Sequence, residues 1–187
     1  MSDLAKPEWS DKVDAAVDVG TLDDFHCATP NGKEILYLHK SGVSMYTMTH
    51  PWILGAERVR FLDGGTFDFD QTGERALIFR AEEQGLTTDI IAWSERNEEL
   101  ATWRGTAFCL GDLYQIWGSP VRIHRTPLQW LQHGREGVVI VDWTMAAAYL
   151  RNAESLLFED AGLARVVRQW TLPPEPKTEF LLEVGEK

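Results

Sequence analysis

Residues 120–142 constrain the fold more than any other stretch of the chain. Val121–His124 reads as a short strand, Thr126 can cap a following helix, and Gly134 can end that helix in the left-handed conformation. The uninterrupted apolar run at 137–141 is typical of a strand that is buried on both faces. A strand, a helix and a second strand with short joints predict a βαβ unit, whose two strands are parallel.

The same alternation continues after this unit. A helix is predicted around 143–150 and a third strand at 155–158. Asp160 can then cap a helix that carries four apolar residues on one face, namely Leu163, Val166, Val167 and Trp170. Residues 118–172 are therefore predicted to form an α/β half of the βαβα type.

The first half, residues 1–105, is predicted to be mostly an antiparallel meander. A helix is expected at 9–19, and Asn31-Gly32 is typical of a hairpin turn. A helix at 107–117 would join the halves. The predicted strands are 25–29, 34–39, 43–48, 58–62, 66–70, 75–80, 90–95 and 100–104. The expected architecture is α+β, with the two halves packed as a single globular domain over 1–187.

Composition and charge limit the kinds of partner that the protein could bind. The net charge is −11, so nonspecific binding to nucleic acid through its phosphates is disfavoured. An acidic DNA mimic is an alternative, but the acids are spread along the chain instead of being massed on one element. The chain is rich in tryptophan, with eight residues, and an exposed subset of them would mark a binding surface.

The two cysteines and the N-terminal sequence favour a cytoplasmic protein. Cys27 and Cys109 have no metal-type spacing, the N-terminus lacks an apolar signal segment, and no apolar run is long enough to span a bilayer.

Residues 173–187 read as a proline-rich spacer followed by a strand in which Phe180, Leu182 and Val184 share one face. That strand could join this molecule's own sheet or the edge of a partner.

A candidate site lies where the three predicted parallel strands end. Ligands of open α/β sheets bind at the carboxyl ends of the strands. His124 and Asp142 could form an oriented catalytic base there. The candidate binding residues at the same edge are Arg125, Thr126, Trp143, Glu159 and Asp160. The structural alternative is that Asp142 and Asp160 are only helix caps and that Arg125 pairs with one of them.

Three aspartates form a second candidate site, for a metal ion, which is less favoured than the first. Asp68 and Asp70 share one face of a predicted strand, and Asp63 precedes them in a turn. The segment that starts at Asp68 resembles the beginning of an EF-hand loop, but Phe79 stands where the loop needs a glutamate. The sequence thus predicts neither a metal nor a cofactor.

Two functions are compatible with these features. The chain has none of the phosphate-loop, dinucleotide, nucleophile-elbow or zinc-protease motifs, so a non-enzymatic binding protein is favoured. It would act through a protein partner or as a homodimer. The alternative is a small hydrolase or transferase that acts on an anionic metabolite through His124, Arg125 and Asp142.

Overall fold

A computed structural model describes residues 22, 27–49, 54–112, 120–151 and 153–171 of the chain. Helices and strands both occur in these ranges, and the strands form two sheets. The α+β fold class predicted from the sequence is therefore confirmed. The predicted helix at 9–19 and the segment 173–187 lie outside the described residues.

Five strands of the first half close into a barrel. Around the barrel their order is β1-β2-β5-β4-β3, and every neighbouring pair is antiparallel except β2 and β5. The barrel strands are β1 Leu54–Leu62, β2 Thr66–Phe69, β3 Glu74–Glu83, β4 Leu86–Ser94 and β5 Glu99–Thr102. The mainly antiparallel pairing predicted for this region is confirmed, but the strands do not form a simple meander, because β3 pairs with β1 instead of β2 and β2 lies parallel to β5.

The second half forms a four-stranded sheet with helices on both faces. The strand order is β6-β8-β7-β9, with β6 Cys109–Leu110, β7 Val121–His124, β8 Val138–Ile140 and β9 Leu156–Phe158. The helices of this half are α3 Pro127–Gln132, α4 Ala146–Leu150 and α5 Ala161–Thr171, and a 3-10 helix, Trp143–Met145, precedes α4. Thr126 caps α3 as predicted, and Gly134 follows the helix with a φ of +66°.

The predicted hairpin around Asn31 and Gly32 is wrong. Asn31 instead caps helix α1, Gly32–Lys40, and accepts hydrogen bonds from the Lys33 and Glu34 amides. The Glu34 carboxylate bonds back to the Asn31 amide, which completes a capping box. The strand predicted at 43–48 is also wrong, because helix α2, Met45–Thr49, occupies most of that segment.

The helix predicted at 107–117 is wrong where the structure describes it. Cys109–Leu110 is strand β6, which pairs antiparallel with β8, and residues 113–119 lie outside the described ranges. A buried carboxylate, Asp89 on β4, fixes the path from the barrel into β6. It accepts hydrogen bonds from the Arg104, Thr106 and Ala107 amides at 3.0, 2.9 and 3.2 Å.

The two sheets share one apolar core. Alternate residues of β3 divide between two clusters: Ala76 and Ile78 belong to one inside the barrel, and Leu77 and Phe79 belong to one outside it. The outer cluster also contains residues of α1, α3, β6 and β8.

Across the described ranges, every helix is too short or too polar to cross a lipid bilayer.

Candidate functional site

Three neighbouring strands of the second sheet run in the same direction. Ile123 of β7 pairs in parallel with Val138 of β8 on one side and with Phe158 of β9 on the other. The adjacency of these three strands, on which the sequence-based site depends, is therefore confirmed. Their carboxyl ends lie along one edge of the sheet.

Six polar side chains belong to this edge, and we call them the carboxyl-end cluster: Arg122, His124, Arg125, His133, Glu159 and Asp160. Glu159 Oε1 lies 2.7 Å from Arg122 Nη1 and 2.7 Å from His133 Nε2. Arg125 Nε donates to Asp160 Oδ2 at 2.8 Å, and this guanidinium lowers the pKa of Asp160. Each carboxylate of the cluster is thus already paired with a basic side chain.

Two imidazole rings lie next to each other in the cluster. The ring centroids of His124 and His133 are 4.9 Å apart. Both nitrogens of His133 face oxygen acceptors, because Nδ1 lies 2.9 Å from Gln129 O and Nε2 faces Glu159. His124 is buried, and its Nε2 lies 2.8 Å from the Glu136 carbonyl oxygen. Burial lowers the pKa of His124, the hydrogen bond to the Glu136 carbonyl partly opposes this shift, and the neighbouring His133 lowers the pKa further.

Acidification is expected to destabilise the fold through His124. Its pKa in the folded chain lies below the value of about 6.5 in the unfolded chain, so only the unfolded chain gains this proton as the pH first falls. The stabilising contribution of His124 to the free energy of unfolding is fully present above about pH 6.5, and it is lost as the pH falls toward the pKa of His124 in the folded chain. Urea unfolding at a series of pH values measures this loss.

The variant His124→Gln isolates the effect of this histidine. Glutamine retains an N–H donor for the Glu136 carbonyl and does not titrate. Its free energy of unfolding should therefore fall less steeply below about pH 6.5 than that of the unchanged protein. Identical pH profiles for the two proteins would contradict this role for His124.

Several predicted site residues serve as helix caps. Thr126 Oγ1 accepts from the Gln129 amide, Asp142 Oδ1 from the Thr144 amide at 2.8 Å, and Asp160 Oδ1 from the Gly162 amide at 2.6 Å. Trp143 is half-buried and packs against the apolar cluster under α4 and α5. These contacts give each of the four residues a structural role at the edge where a binding site is predicted.

His124 and Asp142 do not hydrogen-bond to each other in the described structure. His124 reaches toward His133 at the end of α3, whereas Asp142 binds both the amide and the hydroxyl of Thr144. Glu159 and Asp160 also neutralise the arginines that an anionic metabolite would need. A catalytic role for His124 and Asp142 stays a prediction, and no contact between them supports it.

The three aspartates of the alternative metal site have separate environments. Asp63 and Asp68 are exposed, and Asp70 binds Arg60 Nε at 2.7 Å. Hydrogen bonds from Thr72, together with Arg60, lower the pKa of Asp70 to about 2. Within the ranges that the structure describes, no three histidine, cysteine or acidic side chains are placed to hold one metal ion.

Two exposed side chains on α2 form a surface that was not predicted from the sequence. Met45 is 53% exposed and Tyr46 is 73% exposed, while Thr47 and Met48 of the same helix are buried. The Thr47 amide donates to Ser44 Oγ at 3.0 Å, and the Arg135 guanidinium donates to the Thr47 carbonyl. We call the two exposed side chains the Met45–Tyr46 surface.

Comparisons of this chain with protein-family models, with curated proteins and with solved structures found no match to any of them.

Proposed function

We propose that the protein is a non-enzymatic binding protein that acts through a protein partner or through self-association. The observation that carries this proposal is the Met45–Tyr46 surface. Tyrosine and methionine are enriched in the buried centres of protein interfaces, where an aromatic anchor often supplies much of the binding energy. The two free thiols, Cys27 and Cys109, fit a reducing compartment such as the cytoplasm.

The short helix that presents this surface is held firmly. Ser44 bonds to both the amide and the hydroxyl of Thr47 at one end, and Thr49 Oγ1 bonds back to the Met45 carbonyl at 2.8 Å. Arg135 fixes the helix to the turn that follows α3. A side chain on a rigid element loses less conformational freedom when it binds, so more of its contact energy appears as affinity.

The acidic balance of the chain is consistent with a protein partner. The net charge of −11 opposes the phosphate contacts that supply most nonspecific affinity for nucleic acid. The Met45–Tyr46 surface itself carries no formal charge, so it can be desolvated without burying an ion. A partner with a complementary apolar patch therefore fits this surface.

Substitution of the Met45–Tyr46 surface is expected to weaken association. The mass of the purified full chain is measured by light scattering over a range of concentrations, and affinity capture from host extract is quantified in parallel. The double variant Met45→Asp, Tyr46→Asp should weaken the association about 30-fold or more, the effect typical of an interface anchor. Both side chains are exposed, so the thermal midpoint should change little.

Leu86 provides the matched control. It is an exposed apolar residue at the start of β4, on the barrel, so Leu86→Asp adds a charge without touching α2. This variant should associate as the unchanged protein does. A chain that stays monomeric and binds no partner, or an association that the double variant retains, would overturn the proposal.

A further inference from the structure

Strand β9 has an unfilled edge in the described structure. It pairs with β7 on one side, and none of the other described strands pairs with its opposite side. Leu157 of β9 is exposed. An open strand edge presents a row of backbone donors and acceptors, and proteins normally cover it.

Helix α5, which packs above β9, has apolar side chains that are only partly buried. Leu163 and Val167 of α5 are buried, whereas Val166 and Trp170 are 40% and 45% exposed, although all four were predicted to pack. At about 100° per residue, Trp170 and Val166 lie to one side of Leu163, and Val167 and Thr171 lie to the other. The Thr171 carbonyl accepts from Arg151 Nε at the end of α4. Val166 and Trp170 therefore lie on the opposite side of Leu163 from Thr171, whose carbonyl contacts the residue that follows α4.

We propose that residues 179–184 of this same chain form a strand that pairs with the open edge of β9 and packs under Val166 and Trp170. This segment lies outside the described residues, and its sequence alternates as such a strand requires. One face would carry the apolar side chains of Phe180, Leu182 and Val184. The proposal concerns a different surface from the Met45–Tyr46 surface and does not depend on it.

The direction in which the chain crosses the sheet would place a further strand at this edge. The crossover from β8 to β9 passes through α4, and α4 and α5 pack into the same apolar cluster on one face of the sheet. Crossovers between parallel strands are right-handed, so two successive crossovers on one face must move in the same direction across the sheet. A strand that follows α5 in parallel would therefore be placed beyond β9 and not back toward β7.

The length of the connection and the two faces of the segment fit this position. Residues 172–178 separate α5 from the segment and, if extended, span about 22 Å, which exceeds the roughly 10 Å between a helix layer and a sheet. The second face of the proposed strand would carry Leu181 between Glu179 and Glu183. Leu157 is the exposed apolar residue on the corresponding face of β9, so Leu181 can pack beside it while the glutamates remain in water.

Disulfide crosslinking of the full chain tests the proposal. Leu157→Cys is combined separately with Glu179→Cys, Leu181→Cys and Glu183→Cys, which cover the possible registers on one face, and each single variant is analysed as a background for the native thiols. Paired strands place Cα atoms within the 4.4–6.8 Å that a disulfide requires. At least one of these pairs should crosslink within a monomer. Its yield should be at least 10-fold higher than that of the control pair Leu157→Cys with Leu182→Cys, because residue 182 would lie on the opposite face of the strand.

Each alternative has its own result. A crosslink between two chains would overturn the proposal and assign the edge to the tail of a second copy. Crosslinking of Leu157→Cys with Leu182→Cys that equals the strongest of the three registers, or none from any of the three in a folded chain, would show that no strand is docked there. Loss of the Met45–Tyr46 association leaves these outcomes unchanged, so the two proposals can fail separately.

Discussion

Replacing Asp89 with alanine is expected to lower the free energy of unfolding by about 4 kcal/mol. The Asp89 carboxylate is fully buried and accepts the amides of Arg104, Thr106 and Ala107, and also the Thr106 hydroxyl at 3.0 Å. Alanine leaves these amides without partners at about 1–3 kcal/mol each, and water can reach part of this turn. For a chain of this length the thermal midpoint should fall by about 10 °C, which calorimetry measures.

Two controls identify the cause of this loss. Asp89→Asn keeps one carbonyl oxygen but turns an N–H₂ group toward some of the same amides, so its loss should be intermediate. Asp68 is exposed on β2, and Asp68→Ala should cost less than about 0.5 kcal/mol. A loss below about 1 kcal/mol for Asp89→Ala would contradict the role of this carboxylate in joining the barrel to the second sheet.

The parts of the fold that could be predicted from sequence are those with local signals. Thr126 before a proline, Gly134 after the helix and an apolar run after that define β7, α3 and β8 without reference to the rest of the chain. The Asn31-Gly32 pair is different, because asparagine serves equally in a hairpin turn and at a helix N-cap. Glu34, three residues after Asn31, is the signal that distinguishes the two structures.

Short tertiary elements could not be predicted in the same way. Strand β6 has only two residues, and its pairing with β8 determines its conformation more than its own apolar sequence does. The apolar segment around Cys109 is compatible with a buried helix, and the neighbouring strand selects the extended form. The burial of the Cys109 thiol raises its pKa to about 12, so a reactive thiolate is disfavoured there.

The parallel arrangement of the three strand ends was predicted, but only some of the side chains that meet there were predicted. Parallel strands bring Arg125 and Asp160 together, as expected from the rule for strand ends. Arg122 and His133 were not predicted, because their shared partner, Glu159, follows a strand that is distant in sequence. Asp89 was missed for a similar reason: the amides that it binds come from a turn beyond the next strand. Pairing between distant segments is the part that a single sequence does not specify locally.

The βαβ unit that supports this site depends on a close backbone contact at Gly137. This residue precedes β8 with a φ of +85°, and its carbonyl accepts the Trp130 indole N–H at 3.0 Å. A Cβ atom at this position would lie 2.2 Å from the Arg122 carbonyl oxygen and 2.9 Å from Arg122 Cβ. The strand β7 backbone would have to move away before any side chain could fit.

Gly137→Ala is therefore expected to cost at least about 3 kcal/mol, the sum of about 1–2 kcal/mol for the left-handed backbone and a further cost for displacing β7. Gly134 separates these two contributions, because it has a φ of +66° and its Cβ would meet no atom within 4 Å. Gly134→Ala should then cost only the backbone contribution. Urea unfolding of both variants measures the difference. Equal losses would mean that the contact between Gly137 and Arg122 does not limit the packing of β7 against β8.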